Sequence, residues 1–111
     1  MLPRAHRIVS GAELREVQRR GRKSSNPFFV IARAQGKTNC ASRWGFVVSK
    51  QVGNAVMRNR VKRRLRDLAA REISANPIGM RAVVRALPSS AEASFADLAD
   101  AWTETLRQAE R

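Results

Sequence analysis

Histidine and cysteine are nearly absent from this chain: His6 and Cys40 stand alone among 111 residues. A single cysteine forms no intrachain disulfide and cannot build a cysteine-cluster zinc site. A single histidine, close to the N-terminus, leaves no Ser/His/Asp triad and no histidine-based metal site. Cys40 reads as an incidental thiol in a polar loop, and such cysteine usage suits a reducing cytoplasm. Tyrosine is missing, and the aromatics are four Phe and two Trp. Acids are scarce as well. Residues 1–91 hold four of them, Glu13, Glu16, Asp67 and Glu72, against 20 Lys and Arg. A protein-borne nuclease site gathers several carboxylates around metal ions, so this scarcity argues against one. No apolar run approaches the roughly 18 residues that a membrane span needs, and no signal-peptide core follows Met1.

What the chain has in excess is positive charge, +13 in formal terms. The excess belongs to the body, because residues 92–111 carry five acids against two bases. A polyphosphate partner explains this best. An anionic membrane surface explains it less well, since a surface-bound helix would set bulky aromatics opposite its charges. Hydrophobic residues make up 43% of the chain, enough for one modest core. No internal repeat and no dividing linker is present, so residues 1–111 read as one domain with an extended basic arm over 1–9.

Local signals divide the chain into elements. Ser10 opens a helix, with Glu13 at capping-box spacing and Val9 and Leu14 at staple spacing. Leu14 and Val17 point inward, and Gly21 ends the helix. Arg22 to Asn26 reads as a loop. Phe28 to Arg33 and Arg43 to Ser49 read as strands, and the polar connection between them suggests an antiparallel pair. Phe28 and Phe29 should point to opposite faces. A long helix over about 55–74 follows Gly53-Asn54, and Asn76-Pro77 with Gly79 makes a turn. Arg81 to Leu87 is a further strand, stopped by Pro88. Ser94 caps a last helix whose stripe is Phe95, Leu98, Ala99, Trp102 and Leu106. The order predicts an α+β two-layer sandwich with helices packed on a small sheet. Trp44 and Trp102 fit core positions better than base-stacking ones.

The functional signal is the stretch from Lys50 to Arg66, in which six of the nine residues from Arg58 to Arg66 are basic and none is acidic. At 100° per residue Met57, Val61, Leu65 and Leu68 share one side of the helix. Arg58, Asn59, Lys62, Arg63 and Arg66 fall mostly on the other, with Arg60 and Arg64 on the flank. Such a face is often merely solvated. Here the only interleaved acids, Asp67 and Glu72, stand beyond it, so i,i+4 ion pairs do not account for it. Arginine outnumbers lysine, which favours bidentate phosphate contact and stacking on bases. The residues therefore point to nucleic-acid contact, with a general RNA-binding or ribosomal-type protein as one reading. Gly53-Asn54 allows close backbone approach but lacks the Walker pattern.

The run Lys50-Gln51-Val52-Gly53-Asn54-Ala55-Val56-Met57-Arg58-Asn59-Arg60-Val61-Lys62-Arg63 resembles the signature of the protein subunit of bacterial ribonuclease P. The basic arm, the Leu14…Val17…Gly21 helix, the Phe29-Val30 strand and the Gly45…Val48-Ser49-Lys50 strand stand in the family's order, so the resemblance spans roughly residues 2–108. It implies a ribosomal protein S5 domain 2-like fold: a small mixed sheet with helices and a left-handed crossover at the arginine-rich helix. It implies a cytoplasmic subunit of an endoribonuclease that removes 5′ leaders from precursor tRNA. Catalysis and Mg2+ would belong to the RNA subunit and substrate, with one protein per RNA and a monomer when free. Carried over by position, Arg58, Asn59, Arg60, Lys62 and Arg63 would lie against the catalytic RNA, and Gly53 and Asn54 would shape the crossover entry. Lys50, Arg64 and Arg66 are neighbours by spacing. Leu14, Gln18, Val30, Ala32 and Val47 match the lining of a leader cleft between the first helix and the sheet. The chain departs from the family there: aromatics are common at the positions of Leu14, Gln18 and Ala32, and none is present.

Overall fold

The computed structural model describes residues 3–36 and 39–109. Met1 and Leu2 of the arm, and Lys37 and Thr38 of the polar connection, lie outside the described residues. Helix α1 is Gly11–Arg20, α2 is Ala55–Ala75 and α3 is Phe95–Ala109. Strands β1 (Arg22–Ser25), β2 (Phe29–Gln35), β3 (Arg43–Val47) and β4 (Met80–Ala86) form one sheet in the order β1-β2-β4-β3. The α+β class and the mixed sheet match the expectation from sequence.

Two expectations about the sheet do not hold. The segment Arg22 to Asn26 is not all loop: Arg22–Ser25 pairs antiparallel with β2 as an edge strand. RKSS offers no branched or aromatic signal, because its pairing is carried by the backbone. Strands β2 and β3 also do not pair with each other. β4 inserts between them, antiparallel to β2 and parallel to β3. The parallel β3–α2–β4 unit is therefore the crossover, and α2 is the connection that closes it.

Helices cover both faces of the sheet. On one face Phe29, Ile31, Trp44, Ala82, Val84 and Ala86 pack with the inner stripes of α2 and α3. Trp102 stacks on Trp44 at 5.2 Å and tilts against Phe29 at 5.8 Å, so both tryptophans are core residues. Phe28 lies outside β2 and packs half-buried against this same cluster rather than on the opposite face. The reason is local. Asn26 Oδ1 accepts from the N–H groups of Phe28 and Phe29, and its Nδ2 donates to Thr105 Oγ1 of α3 at 2.8 Å. That turn ends strand alternation before Phe29.

On the other face Ile8, Val17, Ala32 and Val83 form a smaller cluster, with Leu14, Ala34 and Val47 against it. Helix α1 begins as expected, with Ser10 Oγ accepting from the Glu13 N–H. The staple does not form, because Val9 is exposed and Ile8 is buried in its place. The Ile8 N–H donates to the Trp44 carbonyl at 2.9 Å, which fixes the phase of this segment along β3. The arm is thus docked rather than wholly extended: Arg4–His6 makes a 3₁₀ turn, and His6 Nδ1 lies 2.6 Å from the Ser42 carbonyl oxygen. Gly21 ends α1 in extended conformation, where a Cβ would fall 2.5 Å from the Val17 carbonyl.

Glu13 does more than stand in a capping sequence. Arg43 and Arg81 are directly opposite each other on β3 and β4, a like-charge pair that weakens a sheet. The Glu13 carboxylate accepts from both guanidinium groups, and Glu16 takes a second contact from Arg81 at 3.3 Å. Two of the few acids in the body of the chain are spent neutralising this corner.

A Cβ at Gly45 would collide with Leu14 Cδ2 and come within 3.3 Å of Ile8 Cβ. Gly45→Ala should lower the unfolding free energy by about 1–2 kcal/mol by overpacking the α1 seat. Adding Leu14→Ala should cost less in that background than alone, a non-additivity readable by urea denaturation of the four proteins.

Candidate nucleic-acid interface

The entry to α2 is set by backbone requirements. Gly53 has φ +154°, and a Cβ there would fall 2.8 Å from Met57 Sδ. Asn54 is the N-cap, its Oδ1 accepting from the Met57 N–H at 2.9 Å. Both residues therefore shape the start of α2, as the signature implies. Ahead of them Val52 and Gly53 donate to the Ser49 and Lys50 carbonyls, and Val52 is buried, so the turn is anchored while Lys50 stays exposed.

The inner stripe of α2 is Val61, Leu65, Leu68, Ala69 and Ile73, all buried. Met57, expected on that stripe, is only half-buried at its start. The opposite face presents Asn59, Arg60 and Arg63 exposed and Arg58, Lys62 and Arg66 partly so. Among the described residues no ion pair joins any of these cations to a carboxylate. The buried Nε atoms of Arg58 and Arg66 have no hydrogen-bond partner among the described residues. With Arg64, six positive charges lie along about 12 Å of helix axis, close enough to repel one another at any ordinary ionic strength. The positive end of the helix dipole adds to their potential.

Arg64 differs from its neighbours. Its Nη1 donates to the Ala93 carbonyl at 2.9 Å, which ties α2 to the start of α3. Arg71, though exposed, is committed to α3 as well, its Cζ 5.3 Å from the centre of the Phe95 ring. Spacing alone does not reveal these commitments, because their partners lie across the fold.

A second feature lies on the α1 side of the sheet. Leu14, Val30 and Val47 are half-buried there, and Gln18 is half-buried on α1. Ala32 differs from the expectation: it is 3% exposed, packed with Val17 and Val83, and closed to any ligand in this arrangement. Strand register adds Arg85, which stands between Val30 and Val47 on β4. Sequence reasoning missed it, because only the order of the sheet places it there.

The sequence profile of the ribonuclease P family matches residues 2–110. The chain belongs to that family. A ribonuclease P protein component of Nocardioides sp. is 50% identical over 101 residues, covering 89% of this chain and 86% of its own. That of Kocuria rhizophila is 43% identical over 111 residues, covering 100% and 97%. The solved RNase P protein of Staphylococcus aureus superposes with a TM-score of 0.85 at 25% identity over 96% of both chains. The Thermotoga maritima RNase P protein shares the fold, with a TM-score of 0.78 at 24% identity over 92% of this chain and 96% of that one.

In a ribonuclease P protein, the contrast between Arg63 and Arg64 is a direct test of the α2 face. Arg63→Ala should weaken binding to ribonuclease P RNA with little effect on the melting curve. Arg64→Ala should instead cost roughly 1 kcal/mol of stability through the lost bond to Ala93, with a smaller loss of RNA affinity. Filter-binding titrations beside thermal melts would separate the two.

Proposed function

We propose that this chain is the RNA-binding protein subunit of ribonuclease P, seating the catalytic RNA on α2 and the 5′ leader of precursor tRNA between α1 and the sheet. The observation that carries this reading is the α2 face: arginines without carboxylate partners among the described residues, on a helix held rigidly by its buried stripe. Arg58, Asn59, Arg60, Lys62, Arg63 and Arg66 supply the phosphate contacts to the RNA subunit, with Lys50 at the margin. Arg64 acts mainly by holding α2 on α3. Gly53 and Asn54 position the first turn rather than touch the RNA by side chain. Leu14, Gln18, Val30 and Val47 border the path of the leader. One protein binds one RNA.

Hydrolysis is assigned to the RNA subunit. Among the described residues no three of His, Cys, Asp and Glu come together where they could hold a metal ion. Glu13, which borders a hollow beside Arg43 and Arg81, is ion-paired with both. In this reading Mg2+ is held by the RNA subunit and the substrate phosphates rather than by a protein cage. The protein lowers the concentration of Mg2+ that the complex needs by adding positive charge where RNA strands converge. No described helix is long and apolar enough to cross a membrane, and the reading places the subunit in the cytoplasm with its RNA. A general RNA-binding role without cleavage is the competing reading.

Cleavage of a 5′-extended precursor tRNA at low Mg2+ decides between them. Protein alone should leave the substrate intact, and protein with a bacterial ribonuclease P RNA should cut at the mature 5′ end. Absence of stimulation despite tight RNA binding would favour the general role. Replacing Arg58 and Arg60 together by Ala should weaken RNA-subunit binding and reduce the slope of log affinity against log salt by up to about 2.

A further inference from the structure

The α1 face of the sheet carries three arginines, and only two are neutralised. Arg43 and Arg81 are bridged by Glu13, with Glu16 on Arg81. Arg85 lies four residues beyond Arg81 on β4, on the same face and about 13 Å further along the strand. It is exposed, and among the described residues it makes no ion pair and no side-chain hydrogen bond. An isolated cation in the middle strand of a small sheet costs packing that a branched residue would supply.

Register places Arg85 in a row running Ser25, Val30, Arg85, Val47 across all four strands. Helix α1 seats on the neighbouring rows, through Leu14 over Gly45 and Glu13 on Arg43 and Arg81. The row of Arg85 is left as the floor of an open trough. At one end the trough runs into a hollow of about 380 Å³ whose lining includes Val47, Ser49, Lys50, Arg85 and Pro88. Lys50 begins the turn that leads into α2. Arg85 thus sits where the apolar trough meets the approach to the cationic helix.

The trough has no aromatic side chain among Leu14, Gln18, Val30 and Val47 on which a base could stack. What it offers a single strand is apolar contact from the valines and one unpartnered guanidinium. That fork matches a phosphodiester in bidentate geometry, while the arginine stem can lie along the flanking valines. We propose that Arg85 grips a backbone phosphate of the 5′ leader, and so favours leader-bearing precursor over mature tRNA in a cleft that lacks stacking residues. The inference rests on the leader reading given under the proposed function.

The test uses holoenzyme reconstituted with unmutated protein, Arg85→Ala or Arg85→Lys. Affinities are measured for a precursor tRNA with a leader of several nucleotides and for mature tRNA. The affinity of each protein for the RNA subunit is measured alongside. Arg85→Ala should weaken precursor binding about fivefold, the scale of one exposed charge-assisted contact. It should also reduce the salt slope for the precursor by about 0.7. Mature tRNA and RNA-subunit affinities should be unchanged, and Arg85→Lys should recover most of the loss. The proposal is overturned if precursor binding is unaffected or if mature tRNA suffers equally. It is also overturned if lysine is as poor as alanine. If the unmutated holoenzyme does not distinguish precursor from mature tRNA, the leader reading itself fails and takes the proposal with it.

Discussion

Self-repulsion along α2 is the constraint around which this protein is built. Six like charges within a few turns destabilise an isolated helix. The chain holds them in place with a continuous buried stripe, Val61, Leu65, Leu68, Ala69 and Ile73, pressed against the Trp44–Trp102–Phe29 aromatic cluster. Burying side chains of this size contributes on the order of 1.5–3 kcal/mol each, well above the few tenths lost per repelling pair. The helix is rigid because its back is buried, and among the described residues no carboxylate is ion-paired with the cations of its front.

Placement of the few acids follows the same logic. Glu13 and Glu16 are set against Arg43 and Arg81, where two arginines face each other across the sheet. Glu104 pairs with Arg107 on the outer surface of α3. None of these carboxylates is paired with the α2 face. Positive charge is therefore cancelled where it would strain the fold and, among the described residues, left without ion pairs along α2, the face proposed to receive RNA. Asn26 and Arg64 complete the frame with polar bonds to α3 and to the Ala93 carbonyl just before it.

Local physics was readable from the chain, and long-range pairing was not. The caps at Ser10 and Ser94, the break at Gly53-Asn54 before α2, the stripe of α2 and the core roles of both tryptophans follow from spacing and composition, and the structure shows them. The edge strand β1 was invisible, because RKSS pairs through its backbone alone. The insertion of β4 between β2 and β3 was equally hidden, since a short connection suggests a hairpin and only the whole sheet reveals otherwise. Ile8 replaced Val9 in the core because one hydrogen bond to Trp44 fixed the phase of an extended segment. Of the candidate site, the cations of α2 were legible as a face. Arg64's inward bond, the burial of Ala32 and the presence of Arg85 in the trough depended on neighbours distant in sequence.

The central place of β4 has a consequence for how the molecule is made. β4 is the neighbour of both β2 and β3, yet it begins only at Met80. A chain emerging from the ribosome can close β1 onto β2, but β3 has no strand beside it until the last third is synthesised. The segment that becomes the arginine helix is thus synthesised before the full sheet and the tryptophan of α3 exist to support its apolar side. During that interval it is a cationic amphipathic segment with its greasy stripe uncovered. The closing contacts span tens of residues, so loop closure, rather than helix formation, sets the pace of folding.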